Sequence, residues 1–114
     1  MARVGRRMHP GRVLREEFME PMRLKAGDLA LALDVPIAQI EALIAGKRTP
    51  KVTTDIALRL ARFFRTSPHF WLSLQAAHDL SITQARYGAE IEARVQPIGA
   101  HIQPIAAHIQ PMAA

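Results

Sequence analysis

The chain has 114 residues, which is room for one small domain, and its fifteen Lys and Arg against ten Asp and Glu give a formal net charge of +5. Hydrophobic residues make up 49% of it but aromatic residues only 5%, which predicts an aliphatic core, and the absence of Cys excludes disulfides, thiolate zinc sites and cysteine nucleophiles. No apolar run reaches the ~18 residues of a membrane span, and the basic start lacks the apolar stretch of a secretory signal. We therefore expect a cytoplasmic protein without a membrane segment.

The positive charge is concentrated in the first part of the chain. Residues 1–65 contain thirteen basic and seven acidic side chains, whereas residues 66–114 contain two and three. Six of the basic residues fall within 47–65, against a single acid. Because clustered basic charge favours a polyanion, we expect any nucleic-acid partner to bind the first half.

The apolar periodicity is helical from Pro10 to about Val95, without an alternating strand pattern, and it predicts an all-α fold. Helices are expected from near Gly11 to the residue before Pro21, and over 26–33, 36–45, 53–64, from Ser67-Pro68 onward, and more weakly over 84–95. The expected caps and stops are Asp28, Gly46, Thr53 or Thr54, and Ser67. The side chains expected to face the core are Val13, Leu14, Phe18, Ala26, Leu29, Ala30, Leu33, Ile37, Ile40, Ile44, Ile56, Ala57, Leu60, Ala61 and Phe64.

The second and third helices are separated by only about three residues, Asp34-Val35-Pro36. Two short helices joined by a tight turn are the arrangement that lets the second helix enter a DNA major groove. A basic loop over 47–51 follows, in which Lys47, Arg48 and Lys51 are placed to bind the flanking phosphates. The alternative is that these are ordinary solvated surface charges.

The two ends of the chain have a different composition. Arg3, Arg6 and Arg7 suggest a basic arm over 1–8 that reaches DNA, or simply a frayed terminus. Residues 95–114 repeat a seven-residue unit with Pro at 97, 104 and 111, which excludes a continuous helix and predicts an extended or disordered tail over 96–114. The recurring His101 and His108 fit duplication of the unit better than a metal site.

No set of residues indicates catalysis. The five His form no HExxH or Ser–His pattern, and no phosphate-binding loop is present. His69 and His78, nine residues apart on one helix, are expected on opposite faces. Phe63, Phe70 and Trp71 are expected to pack in the core and not to stack on bases. We therefore expect no enzyme activity, no cofactor and no metal.

Several segments together resemble the HigA family of antitoxins, the VapI-like branch of the Cro/C1-type (Xre) helix–turn–helix proteins. They are HPGRVLREEFMEPM at 9–22, GKR at 46–48, DIALRLARFFRTSPHFWLSLQAAHDL at 55–80, and the spaced Tyr87, Gly88, Ile91 and Val95. The resemblance implies a compact, lambda-repressor-like domain of five to six helices over 9–95. It also implies a homodimer that binds operator DNA ahead of its own operon and neutralises a cognate toxin, typically a small basic mRNA-cleaving endoribonuclease.

The same resemblance makes 26–33 the supporting helix and 36–45 the recognition helix, so the groove-facing candidates are Ile37, Ala38, Gln39, Glu41 and Ala42. Many relatives have Ser-Arg-Gln-Thr where this chain has Pro36-Ile37-Ala38-Gln39, an Arg where it has Ala42, and a Gly where it has Asp34. The Gln39 side chain can form two hydrogen bonds with adenine, and Ile37 or Ala38 can contact a thymine methyl group. The Glu41 carboxylate can either accept a hydrogen bond from the cytosine amino group or repel a phosphate. Two alternatives therefore remain open: a stand-alone repressor without a toxin, and a toxin-binding module that has lost DNA binding.

Overall fold

The computed structural model describes residues 8–46 and 51–99. Over these residues the fold is all-α and contains no strand, which confirms the predicted fold class. The expected arm up to residue 7, the loop residues Lys47 and Arg48, and the repeat from residue 100 onward lie outside the described residues. The helices are α1 (Pro10–Val13, continued by a π-helical stretch, Leu14–Met19), α2 (Ala26–Leu33), α3 (Ile37–Ile44), α4 (Thr54–Phe64) and α5 (Pro68–Arg94).

The first helix differs from the regular α-helix that the sequence predicts. It begins at Pro10, where the Nδ1 atom of His9 accepts the Gly11 N–H at 2.9 Å and caps the first turn. After Val13 the backbone widens into a π-helix, in which the Glu20 N–H bonds to the Arg15 carbonyl five residues earlier at 2.9 Å. The following residue, Pro21, has no N–H to continue either pattern, so the helix ends there as expected.

The predicted fifth and sixth helices are one continuous helix, α5. No Gly or Pro lies between Pro68 and Gly88 to interrupt it, and the weak helix formers around Ile82 do not break it. Ser67 caps this helix as predicted, because its Oγ accepts the His69 N–H at 2.9 Å. None of the described helices is long and apolar enough to cross a membrane.

The described chain divides into two compact units after Thr83. The first unit holds α1 to α4, the beginning of α5 and the whole buried core. In the second unit, Tyr87, Ile91 and Val95 follow one another at four-residue spacing and are exposed.

The core of the first unit is mostly the predicted one. Ile37 is the exception, because it is 48% exposed at the start of α3 while Leu43 is buried in its place. Phe18, Ala26, Ile44 and Phe64 are partly buried against the core. The buried hydrophobic residues of the core are Val13, Leu14, Met19, Leu29, Ala30, Leu33, Ile40, Leu43, Val52, Ile56, Ala57, Leu60, Ala61, Trp71 and Leu74.

Trp71 is the centre of an aromatic cluster within this core. It is fully buried, its ring lies 4.9 Å from that of Phe18 and 5.0 Å from that of Phe70, and its indole N–H donates to Thr66 Oγ1 at 2.8 Å. The core prediction is confirmed for Trp71 and wrong for Phe63, which is 37% exposed. Phe63 lies at the edge of the apolar stripe of α4, about a quarter turn from its centre, so only one side of its ring is covered.

Helix α1 approaches α3 very closely at Gly11. A Cβ atom built on Gly11 would lie only 1.8 Å from the carbonyl oxygen of Leu43. Any side chain at residue 11 therefore forces these two helices apart, and Gly11 is required for the contact to form.

We predict that Gly11→Ala destabilises the fold by about 1–3 kcal/mol, because the added methyl overpacks a contact between two backbones. Urea unfolding followed by circular dichroism measures this loss. Gly88→Ala is the matched control, since its Cβ would meet nothing closer than Gln84 Cβ at 3.8 Å and should stabilise the helix by about 0.5–1 kcal/mol. Equal unfolding midpoints for Gly11→Ala and the wild type would contradict the proposed contact.

Candidate nucleic-acid interface

The chain changes direction between α2 and α3 in a turn of three residues, 34–36. Asp34 takes the left-handed conformation, with φ 57° and ψ 50°, and ends α2. The Val35 N–H then donates to the Ala30 carbonyl at 3.0 Å, which closes the end of the helix. Asp34 can occupy this position because Asp adopts the left-handed conformation more readily than most residues.

Arg59 of α4 bonds directly to this turn. Its Nη1 donates to the carbonyl oxygens of Leu33 at 2.8 Å and Asp34 at 3.0 Å, while its Nε donates to Asp55 Oδ1 at 2.7 Å. The hydrogen bond to Asp55 raises the pKa of Arg59 above its ordinary value. The guanidinium therefore stays charged and satisfies two carbonyls that end α2 without an intrahelical partner.

The outer face of α3 is apolar and acidic. Ile37, Ala38 and Glu41 are exposed, whereas Gln39 and Ala42 are half-buried beside the buried Ile40. The helix spans Ile37–Ile44, one residue shorter at each end than predicted, since Pro36 and Ala45 are its caps. Glu41 is its only charged residue, so positive charge toward DNA has to come from outside α3.

The chain that follows the basic loop is tied to α5. Lys51 is half exposed, and its Nζ lies 3.2 Å from Asp79 Oδ2. The Val52 N–H donates to Gln75 Oε1 at 2.8 Å, and Gln75 Nε2 donates to Asp79 Oδ1 at 3.1 Å. Lys51 is therefore an ion-paired residue at the base of the loop, with its charge partly neutralised.

Three residues that hold this region in place were missing from the sequence prediction: Arg59, Gln75 and Asp79. The sequence offers one signal, the i,i+4 spacing of Asp55 and Arg59, which indicates an ion pair on a helix surface and nothing about the turn. Their partners lie 23 to 28 residues away along the chain, so periodicity within a helix cannot find them. Among the described residues no three His, Cys, Asp or Glu cluster as metal ligands would.

A short helix, a three-residue turn stabilised by a neighbouring helix, and a second helix with an exposed face together define a helix–turn–helix protein. Comparison with known proteins gives the particular family. The chain belongs to the HigA family of helix–turn–helix antitoxins.

The family assignment rests on both sequence and structure, although no protein-family model matches the chain. Virulence-associated protein I of Dichelobacter nodosus is 42% identical over 68% of this chain and 69% of its own length. Antitoxin HigA-1 of Vibrio cholerae is 38% identical over 70% of this chain and 73% of its own length. The structure of antitoxin HigA from Pseudomonas aeruginosa with the higBA promoter superposes with a TM-score of 0.76, at 33% identity over 82% of this chain and 99% of that one. The resemblance inferred from the sequence motifs is therefore confirmed.

We predict that Asp34→Val destabilises the fold by about 1–2 kcal/mol, because a β-branched side chain clashes in the left-handed conformation. Asp34→Gly should be more stable than Asp34→Val by about 1–2 kcal/mol, since Gly adopts positive φ without a clash. Urea unfolding midpoints measure both variants. At the exposed helical residue Ala38 the order should be reversed, with Ala38→Val more stable than Ala38→Gly, because Gly is the poorer helix former. If Gly were the more stable or the less stable variant at both positions, the left-handed conformation of Asp34 would be refuted.

Proposed function

We propose that the chain is the antitoxin of a type II toxin–antitoxin module and represses its own operon by binding operator DNA. The observation that carries this proposal is the match of the α2–turn–α3 unit and its surrounding helices to antitoxin HigA of Pseudomonas aeruginosa, a structure that contains promoter DNA. An occupied operator excludes the polymerase sterically, and a separate surface holds the toxin.

We propose that DNA is bound by two groups of residues with different tasks. The exposed Ile37, Ala38 and Glu41 on α3 face the groove, together with the half-buried Gln39 and Ala42 at its margin. Only Gln39 and Glu41 among them carry hydrogen-bonding side chains, so base readout is thin. Phosphate contacts by Lys47, Arg48 and Lys51 would supply most of the affinity. The ion pair of Lys51 with Asp79 leaves the larger share to Lys47 and Arg48.

The assembly that we propose is a cytoplasmic homodimer without a cofactor or an enzymatic activity. A two-fold symmetric operator requires two recognition helices about one DNA turn apart, ~34–36 Å. We also propose that the DNA-binding domain spans residues 9–95, between a basic arm over 1–8 and a tail over 96–114. The toxin partner would be a small basic endoribonuclease that cleaves mRNA, as the family resemblance implies.

The first test concerns the basic loop. Lys47→Ala combined with Arg48→Ala should weaken binding to the DNA upstream of the gene and lower the salt slope of log K by about two, since each phosphate contact contributes about 0.9. A gel-shift titration over a range of salt concentrations measures the slope. Arg86→Ala combined with Arg94→Ala removes the same charge from the second unit and should leave the slope unchanged. An equal effect of the two pairs would remove the loop from the interface.

The second test concerns the toxin. A short reading frame for a small basic protein should lie beside this gene, its expression should arrest growth, and co-expression of this chain should restore growth. Operator binding without any such rescue would instead favour a stand-alone repressor. Rescue of growth without promoter binding at low salt would favour a toxin-binding module that has lost DNA binding. This alternative is suggested by α3, which contains one acidic residue and no basic residue.

A further inference from the structure

The end of α2 needs a donor from outside the helix. Its last carbonyls point away from the hydrogen-bonding ladder, and the negative end of the helix dipole favours a cation there. Arg59 provides the donor and the positive charge, because Nη1 of its guanidinium donates to the carbonyls of Leu33 and Asp34 at 2.8 and 3.0 Å. Since these two residues lead directly into α3, this contact acts on the segment that sets the direction of the second helix.

Arg59 is itself held from both sides. Asp55, one turn earlier on α4, accepts its Nε at 2.7 Å and fixes the plane of the guanidinium. The opposite face of α4 is anchored in the core by Ala57 and Leu60, both fully buried. The side chain thus connects the turn to a rigid helix. A lysine has a single nitrogen and cannot bind the turn and Asp55 from two separate nitrogens, as the planar guanidinium does.

The neighbouring Arg62 shows that this arrangement is specific to one residue. Arg62 lies three residues along the same helix, and within the described ranges it has no ion pair or side-chain hydrogen bond. Arg59, in contrast, has both its Nε and Nη1 engaged by protein oxygens and its side chain is only 37% exposed. Its Nε and Nη1 donors are therefore engaged by Asp55 and by the turn.

We propose that Arg59 is a positioning residue for operator recognition, acting by fixing the α2–α3 turn and thereby the orientation of the exposed face of α3. This inference rests on the proposed DNA-binding function and deepens it. Arg59 would contribute to the discrimination of operator from other sequences without contacting DNA. Loss of the contact would leave the orientation of Ile37, Ala38 and Glu41 toward the groove less well fixed, while the charges of Lys47 and Arg48 are unchanged.

The test compares Arg59→Gln with Arg62→Gln in the full chain, because both variants lose one positive charge on the same helix. Binding is measured for the upstream operator fragment and for an unrelated fragment of equal length, over a salt series and well below the unfolding temperature. For Arg59→Gln we expect about tenfold weaker operator binding, within the range of positioning mutations, and unchanged affinity and salt slope on the unrelated DNA. Arg62→Gln should retain the wild-type ratio of operator to unrelated affinity.

Two further variants separate positioning from a general structural role. Asp55→Ala should lower the operator-to-unrelated ratio in the same direction, and adding it to Arg59→Gln should cause no additional loss, because both act through one contact. Arg59→Lys should fail to restore the ratio. Amide hydrogen exchange at Val35, whose N–H closes the turn at 3.0 Å, should be faster in Arg59→Gln and unchanged in Arg62→Gln.

Several results would overturn the proposal. A salt slope lowered by about 0.9 in Arg59→Gln would mean that Arg59 contacts a phosphate. A wild-type ratio of affinities combined with a lower unfolding temperature would mean that Arg59 serves stability alone. A wild-type chain that does not discriminate its operator at all would overturn the proposed function itself, whereas discrimination retained in Arg59→Gln would overturn only the positioning role.

Discussion

The structure depends on a change of chain direction within three residues between α2 and α3. One residue of the turn, Asp34, lies in the left-handed region with φ 57° and ends α2 there. The carbonyls at the end of α2 are then satisfied partly by the turn itself, through Val35, and partly by Arg59 from α4. Because α4 is anchored in the core, the placement of α3 is linked to the packing of the whole first unit.

A second constraint acts on the other side of the same helix. Gly11 allows the first helix to approach the backbone of Leu43 so closely that no Cβ fits between them. Ile40 and Leu43 are buried on that inner side, which leaves Ile37, Ala38 and Glu41 as the outward face of α3. Helix α3 is therefore packed against α1, and the turn that leads into it is held by Arg59 of α4. Its outer residues are presented by a rigid support, although few of them carry groups that distinguish bases.

The sequence predicted the local elements well because their signals are local. The limits predicted for α2 are those observed. The caps at Thr53 and Ser67 follow from hydroxyl oxygens that accept hydrogen bonds from backbone N–H groups two or three residues later. Predictions failed where two local signals competed. Ile37 fits an apolar stripe and also begins an exposed face, and Phe63 lies at the edge of its stripe. The sequence predicts two helices, one from Ser67-Pro68 onward and a weaker one over 84–95, where the structure has the single helix α5.

By itself the sequence determined the all-α class, the helix–turn–helix order, the family and the concentration of basic charge before residue 66, because composition and short motifs carry that information. The tertiary structure alone decided how the candidate interface is held. The bonds of Arg59 to Leu33 and Asp34, and of Val52 to Gln75, join residues more than twenty positions apart. Such partners are chosen by the packing of α4 and α5 against the core. A side chain that looks like one more surface charge in the sequence thus becomes the support of the turn.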